Sequence, residues 1–180
     1  VTGAGAGITV AKDFSTGLTL TDITLTYTGG DGNETITGTA GVDTIITGNG
    51  TNVVNAASGD LVAADTITGG TGTDTLAITA ADTTIVDADF TNVTDFETLS
   101  LTGISSATLG TAADAAGFDS ATGSILIGAG ATTINADNSV AFTVDATNLA
   151  QNTALTLSDV APSIFTVTNL VGNLATTAVA

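Results

Sequence analysis

The sequence predicts an all-β protein, a right-handed parallel β-solenoid that turns irregular in its C-terminal half. Three observations predict it. Residues 29–77 repeat with a period of nine. Short apolar alternations with Thr in the polar places run through much of the remaining chain. The chain is also 43% hydrophobic at a formal net charge of −17, so it is not an acidic disordered tail. A fixed period sets architecture ahead of any local propensity.

The chain divides into residues 1–28, 29–77 and 78–180. Residues 1–7, VTGAGAG, read as a loose entry. From Ile8 to Thr28 apolar residues alternate with Thr, through Leu18, Leu20, Ile23, Leu25 and Tyr27. This is strand pattern. Asp22 interrupts the period, and a bulge is expected there.

The repeat reads GGDGNETIT, GTAGVDTII, TGNGTNVVN, DLVAADTIT and GGTGTDTLA, once the insertion Ala56–Gly59 is set aside. Its eighth column is Ile36, Ile45, Val54, Ile67 and Leu76. Its sixth is Glu34, Asp43, Asn52, Asp65 and Asp74. Gly30 and Gly70 stand in the second column, and Gly32, Gly41, Gly50 and Gly72 in the fourth. Glycine at columns one, two and four permits positive φ and a tight turn. Such a turn brings backbone carbonyls together, and the sixth-column carboxylate adds a hard oxygen ligand. Calcium takes about 6–8 oxygens at roughly 2.3–2.6 Å, from carbonyls and carboxylates alike. The following three residues form a short strand with its aliphatic side chain in the core. One coil takes two lines, so Asp43 should face Asp65 on one edge, and Glu34, Asn52 and Asp74 should line the other.

The pattern G-G-x-G-x-D-x-U-x, complete in Gly69–Ala77, resembles the RTX calcium-binding nonapeptide. Gly29–Thr37 fits except for Glu34. Gly38–Ile46 has Thr39 at the second glycine, and Thr47–Asn55 has Thr47 at the first. Asp60–Thr68 has lost its glycines. The resemblance implies a calcium β-roll, with Ca2+ held by the sixth-column side chains and the glycine turns. Asp43 and Asp74 are expected to matter most. Glu34 is one methylene longer, and Asn52 brings no charge.

After Ala77 the period stops. Phe90, Val93 and Phe96 lie at helical spacing, and the two Phe read as plugs capping a coil end. Residues 87–103 resemble a segment that follows RTX-type repeats in bacterial S-layer and type I-secreted surface proteins. Gly110–Gly117 is a short helical turn. Strand-like pieces follow at Ser124–Ile127, Thr132–Asn135, Ala141–Val144, Ala154–Leu157 and Ile164–Thr168. They fit more solenoid or a small β-sandwich, and continuity favours solenoid. Pro162 marks a turn. Asn173–Ala180 reads as an edge or an onward connection.

Composition narrows the function. Eighteen carboxylates face a single base, Lys12. No nucleic acid partner is expected, since nothing could neutralise phosphates. There is no Cys or His, hence no disulfide, no thiolate metal site and no imidazole base. No apolar run reaches about 18 residues, so no transmembrane helix is expected. The chain opens on Val1 and reads as a processed product or part of a longer protein. The Thr-x-Thr pairs do not recur in one column, which argues against an ice-binding face. Paired carboxylates without an aromatic sugar platform argue against a glycosidase.

The reading is a non-enzymatic extracellular structural protein of the bacterial cell surface. It would be a calcium-stabilised unit of a surface layer, filament or large adhesin. Homo-oligomers are expected, as lattice or filament, with a cell-surface polysaccharide as a further partner. The alternatives are a carrier or secretion module of a larger secreted enzyme and a Thr-rich ice-binding solenoid.

Overall fold

The computed structural model describes residues 9–10, 24–56, 59–79, 85–102, 104, 106–119, 121–130, 132–136, 140–159, 164–170 and 173–178. Its strands in the repeat half are β1 (Thr9–Val10), β2 (Thr26–Thr28), β3 (Thr35–Thr37), β4 (Thr44–Gly50), β5 (Val53–Ala56), β6 (Thr66–Gly72) and β7 (Thr75–Ile78). Next come β8 (Val93–Thr94), β9 (Thr98–Leu101), β10 (Ser106–Leu109), β11 (Ser124–Ile127) and β12 (Thr132–Ala136). The last are β13 (Ala141–Asp145), β14 (Ala154–Asp159), β15 (Ile164–Thr168) and β16 (Asn173–Ala178).

The odd-numbered strands form one eight-stranded sheet in chain order. The even-numbered strands form two four-stranded sheets, β2 to β8 and β10 to β16. The chain is a parallel β-solenoid, each coil giving one strand to either face. The C-terminal half continues it: β11 to β16 pair in parallel, so the β-sandwich alternative falls. The long sheet crosses the end of the repeats without a break, because β7 pairs with β9.

The core is built from aliphatic columns. Ile36, Val54 and Leu76 stack on one face, and Leu99, Ile125 and Val144 extend the stack. Tyr27, Ile45, Ile67 and Val93 stack on the other. All are buried, and each such side chain contributes roughly 1.5–3 kcal/mol. The eighth column of the repeat thus divides between two faces, line by line.

Coil length varies without loss of register. Glu34 and Asn52 are 18 residues apart, and Asp43 and Asp65 are 22. Ala56 ends β5, Leu61 is buried in the core after the insertion, and Thr44 still pairs with Thr66. This corrects the expectation for threonine. Thr26, Thr44 and Thr66 share one column, and Thr28, Thr68 and Thr94 share another with Ile46 among them. Uneven coils hide in sequence what strand pairing restores in space.

The phenylalanines do not cap an end. Asp87–Phe90 is a 3-10 turn and Val93–Thr94 a strand, so the helical spacing marks a corner rather than a helix. At that corner the second face splits. Val93 pairs with Ile67, while Ile85 bridges to Ala107 of β10. Phe90 and Phe96 pack on Phe118 at ring-centre distances of 5.7 and 6.2 Å and fill the split from inside. The expected helical turn is present as Thr111–Ala113 and the π-turn Asp114–Phe118. The Asp87 carboxylate accepts the N–H groups of Gly110, Ala112 and Ala113 at its start. The entry at 1–7, Leu18, Leu20, the expected bulge at Asp22, Lys12 and Pro162 lie outside the described residues.

Candidate metal centre

The sixth-column side chains point into the inner corners of the coils. Glu34, Asp43, Asn52, Asp65 and Asp74 are all buried, none more than 2% exposed. Asp43, Asn52, Asp65 and Asp74 each serve an N–H that opens a strand one coil earlier. On one edge, Leu25 N–H donates to Asp43 Oδ1 at 2.7 Å, and Asp43 N–H donates to Asp65 Oδ1 at 2.9 Å. On the other, Glu34 N–H donates to Asn52 Oδ1 at 2.9 Å, and Asn52 N–H donates to Asp74 Oδ1 at 3.0 Å. Buried backbone donors require such partners. The two edges hold the residues that the repeat assigns to them.

The edges differ chemically. Both Asp43 oxygens are engaged: Thr39 donates its N–H to Oδ2 at 2.6 Å and its hydroxyl to Oδ1 at 2.8 Å. Asp65 Oδ2 accepts Val62 N–H at 2.9 Å. On the second edge Glu34 Oε2 and Asp74 Oδ2 are buried and have no hydrogen-bond partner, and neither has the Tyr27 hydroxyl. Asn52 is committed at both ends, since its Nδ2–H donates to Asp74 Oδ1. The sequence reading sets Asp43 beside Asp74; in the structure it is Glu34 that shares with Asp74 a buried oxygen without a hydrogen-bond partner.

Charge is unfavourable where the oxygens are orphaned. Burial pushes the Glu34 pKa up, and the charges of Asp31 and Asp74 add to the rise. Burial also raises Asp74, against the lowering bonds from Asn52 and together with the charges of Glu97 and Asp95. Asp65 rises by burial as well, partly offset by the N–H groups of Asp43 and Val62. An ionised carboxylate buried without a partner is costly and takes up a proton or a cation. The described residues contain no basic side chain to serve.

The glycines serve two purposes. In columns two and four, Gly48, Gly50, Gly70 and Gly72 hold φ between 95° and 138°. A Cβ on Gly70 would overlap the Gly48 carbonyl, and one on Gly72 the Gly50 carbonyl. Column one differs. A Cβ on Gly29 would strike the Thr47 carbonyl and approach Glu34 Oε2 to 3.3 Å. Close approach, not positive φ, requires that glycine. Gly30, Gly32 and Gly41 are not in the left-handed region either, which corrects the expectation for their lines. In the Gly41 line, Thr39 occupies the second column and turns its N–H and hydroxyl onto Asp43 instead. Gly30 and Gly50 carbonyls already accept inter-coil N–H groups, from Asn49 at 2.8 Å and Thr73 at 3.1 Å. A carbonyl oxygen retains a second lone pair.

These donors suit calcium. All are oxygens, and no side-chain nitrogen or sulfur of the kind zinc prefers is present in the chain. Among the described residues no three metal-ligating side chains gather, so a seat must combine a carboxylate with main-chain oxygens. Glu34 with the Thr47 carbonyl is such a combination. Sequence reasoning missed Tyr27, Gly48 and Glu97 as parts of these edges. For Glu97 a signal existed: Glu97-Thr98-Leu99 repeats Glu34-Thr35-Ile36 and Asp74-Thr75-Leu76.

The described residues form a parallel β-solenoid with carboxylates buried along its edges, the class of coiled repeat proteins. The chain carries RTX calcium-binding nonapeptide repeats, matched in four copies over residues 28–60 and 63–77. No curated protein and no solved structure matches the chain.

Proposed function

We propose that the chain is a non-enzymatic, calcium-stabilised structural module of the bacterial cell exterior. The observation that carries this reading is the pair of buried, unpartnered oxygens, Glu34 Oε2 and Asp74 Oδ2, within calcium-binding repeats. Bound calcium supplies positive charge to carboxylates that no basic side chain among the described residues neutralises. The chain's own part is to hold the ionised oxygens in place. Strand pairing fixes each coil, Asn52 separates the two orphaned carboxylates, and the glycines let carbonyls approach. With metal bound, the net charge of −17 repels itself less.

Repeats of this family are typical of secreted proteins, and calcium is plentiful outside the cell. No helix of the described residues is long and apolar enough to cross a membrane. Self-association is supported by the exposed apolar residues of β15. On β15 Ile164 is 68% exposed, and Phe165 and Val167 are only partly covered. Stacked parallel coils are suited to pairing with further strands, and ordered homopolymers are expected when calcium is present. Sedimentation and electron microscopy with and without calcium test this. Calcium-dependent polymers support it; a strict monomer favours a carrier module of a larger secreted protein.

The threonine columns favour one further reading, an ice-ordering face. Thr26, Thr28, Thr66 and Thr94 are exposed on one sheet. Thermal hysteresis of the calcium-loaded chain supports that reading, and its absence removes it.

A further inference from the structure

The ladder of edge side chains runs past the recognised repeats. The family match ends at residue 77. Yet Asp74 is linked one coil further on: its N–H donates to Glu97 Oε2 at 2.6 Å, across 23 residues. The same kind of link joins Glu34 to Asn52 and Asn52 to Asp74. Glu97 therefore occupies the sixth-column place in a coil that has no nonapeptide. Its neighbours confirm the register, since Thr98 pairs with Thr75 and Leu99 with Leu76.

The turn before Glu97 uses no glycine. Asp95 adopts the left-handed φ of 61° itself. A Cβ on Gly69 would clash with its carbonyl oxygen, and Asp74 Oδ2 is 3.1 Å from that Cβ position. Asp74 is fully buried, and that Oδ2 has no hydrogen-bond partner. An orphaned carboxylate oxygen and a main-chain carbonyl thus lie beside Gly69, and a second carboxylate is bonded to the N–H of the same Asp74. The Glu34–Thr47 arrangement under Gly29 has the same plan, without the second carboxylate. Glu97 is only half-buried, which leaves a path for an ion and its waters.

We propose that Asp74 Oδ2, the Asp95 carbonyl and the Glu97 carboxylate form a calcium seat that ends the ladder one coil beyond the nonapeptides. Calcium fits because it accepts carbonyls, carboxylates and water in irregular sets. Magnesium, which demands a tight octahedron, fits poorly. The seat lies beside Phe96, next to the aromatic cluster at the corner. Binding there couples the repeat half to the coils that follow. The proposal rests on the calcium reading of the repeats.

Glu97→Gln tests it. The amide keeps an oxygen for the Asp74 N–H and removes the charge. Calcium binding to the full chain is counted by calorimetry and by equilibrium dialysis. E97Q is expected to bind one ion fewer per chain, with the remaining sites unchanged within about twofold. Should E97Q not fold, Glu97→Asp replaces it, shortened by one methylene. One site is then expected to weaken by at least tenfold. An unchanged count in E97Q, or an unchanged affinity in Glu97→Asp, overturns this seat and leaves the repeat sites standing. A wild-type chain that binds no calcium overturns both.

Discussion

Asn52 donates its Nδ2–H to Asp74 Oδ1 at 2.8 Å, while the other Asp74 oxygen, equally buried, meets no donor. The one uncharged member of its ladder thus holds a carboxylate with one oxygen tied and one open. It also stands between Glu34 and Asp74, whose charges raise each other's cost.

Replacing that spacer by a charge is informative. Asn52→Asp removes the donor and puts four carboxylates in succession, from Glu34 through Asp74 to Glu97. Without metal it should lose about 1.5–3 kcal/mol, the range for a hydrogen bond to a charged group. With calcium the loss should shrink, because the ion neutralises the added charge. Melting curves in both conditions check this. An equal loss in each would show that Asn52 is only a packing residue.

The two edges should respond differently to neutralising substitutions. Glu34→Gln and Asp74→Asn should weaken calcium binding. Asp43→Asn should instead lower stability by about 1–3 kcal/mol whether or not calcium is present, because Asp43 is saturated by Leu25 and Thr39. Calorimetric titration of the three variants orders them. If Asp43→Asn weakens calcium binding most, the distinction between edges fails.

Two glycines isolate strain from crowding. Gly59 has φ of 75° with nothing within 4 Å of an added Cβ. Gly59→Ala should cost only the backbone strain, about 1–2 kcal/mol. Gly72 has φ of 138°, and its Cβ would overlap the Gly50 carbonyl. Gly72→Ala should cost clearly more, about 4 kcal/mol or above, in the range reserved for forced backbone shifts. Chemical denaturation of both gives the comparison.

The repeat was legible because its period is short and its columns are few. Ile36, Ile45, Val54, Ile67 and Leu76 announce the core, and the sixth column announces both edges. The later strands, such as Ser124–Ile127 and Ile164–Thr168, were legible from alternation bounded by Gly, Asn and Asp. What sequence concealed depends on unequal coils. The threonine columns appear only after coils of 18 and 22 residues are brought into register. Glu97 was hidden for the same reason, lying 23 residues beyond Asp74 after the nine-residue count had ended. The engagement of Asp43 by Thr39 could not be seen either, since a missing glycine gives no hint of what the threonine hydroxyl does.

Acidity should act oppositely with and without metal. Burial raises the pKa values of Glu34, Asp65 and Asp74. Between the ordinary carboxylate range and those raised values, the native metal-free chain holds protons that the unfolded chain has released. Its stability is therefore greatest at the acid end of that window and falls as pH rises through it. Asp145 runs the other way: the Thr147 hydroxyl helps to lower its pKa, so its contribution is lost as pH falls. Calcium needs ionised carboxylates, so calcium-loaded protein should gain stability over the same rise. Melting temperatures from about pH 4 to about pH 8, with metal removed and with calcium saturating, display both slopes. Parallel slopes would contradict the assignment.

The most direct measurement is the far-ultraviolet circular dichroism melt of the full chain in excess chelator, in millimolar calcium and in millimolar magnesium. Calcium should raise the melting temperature strongly and restore β signal lost on chelation. Magnesium should do so weakly, because its octahedral demand does not suit mixed carbonyl and carboxylate seats. Identical melts in all three solutions would contradict a calcium-stabilised solenoid.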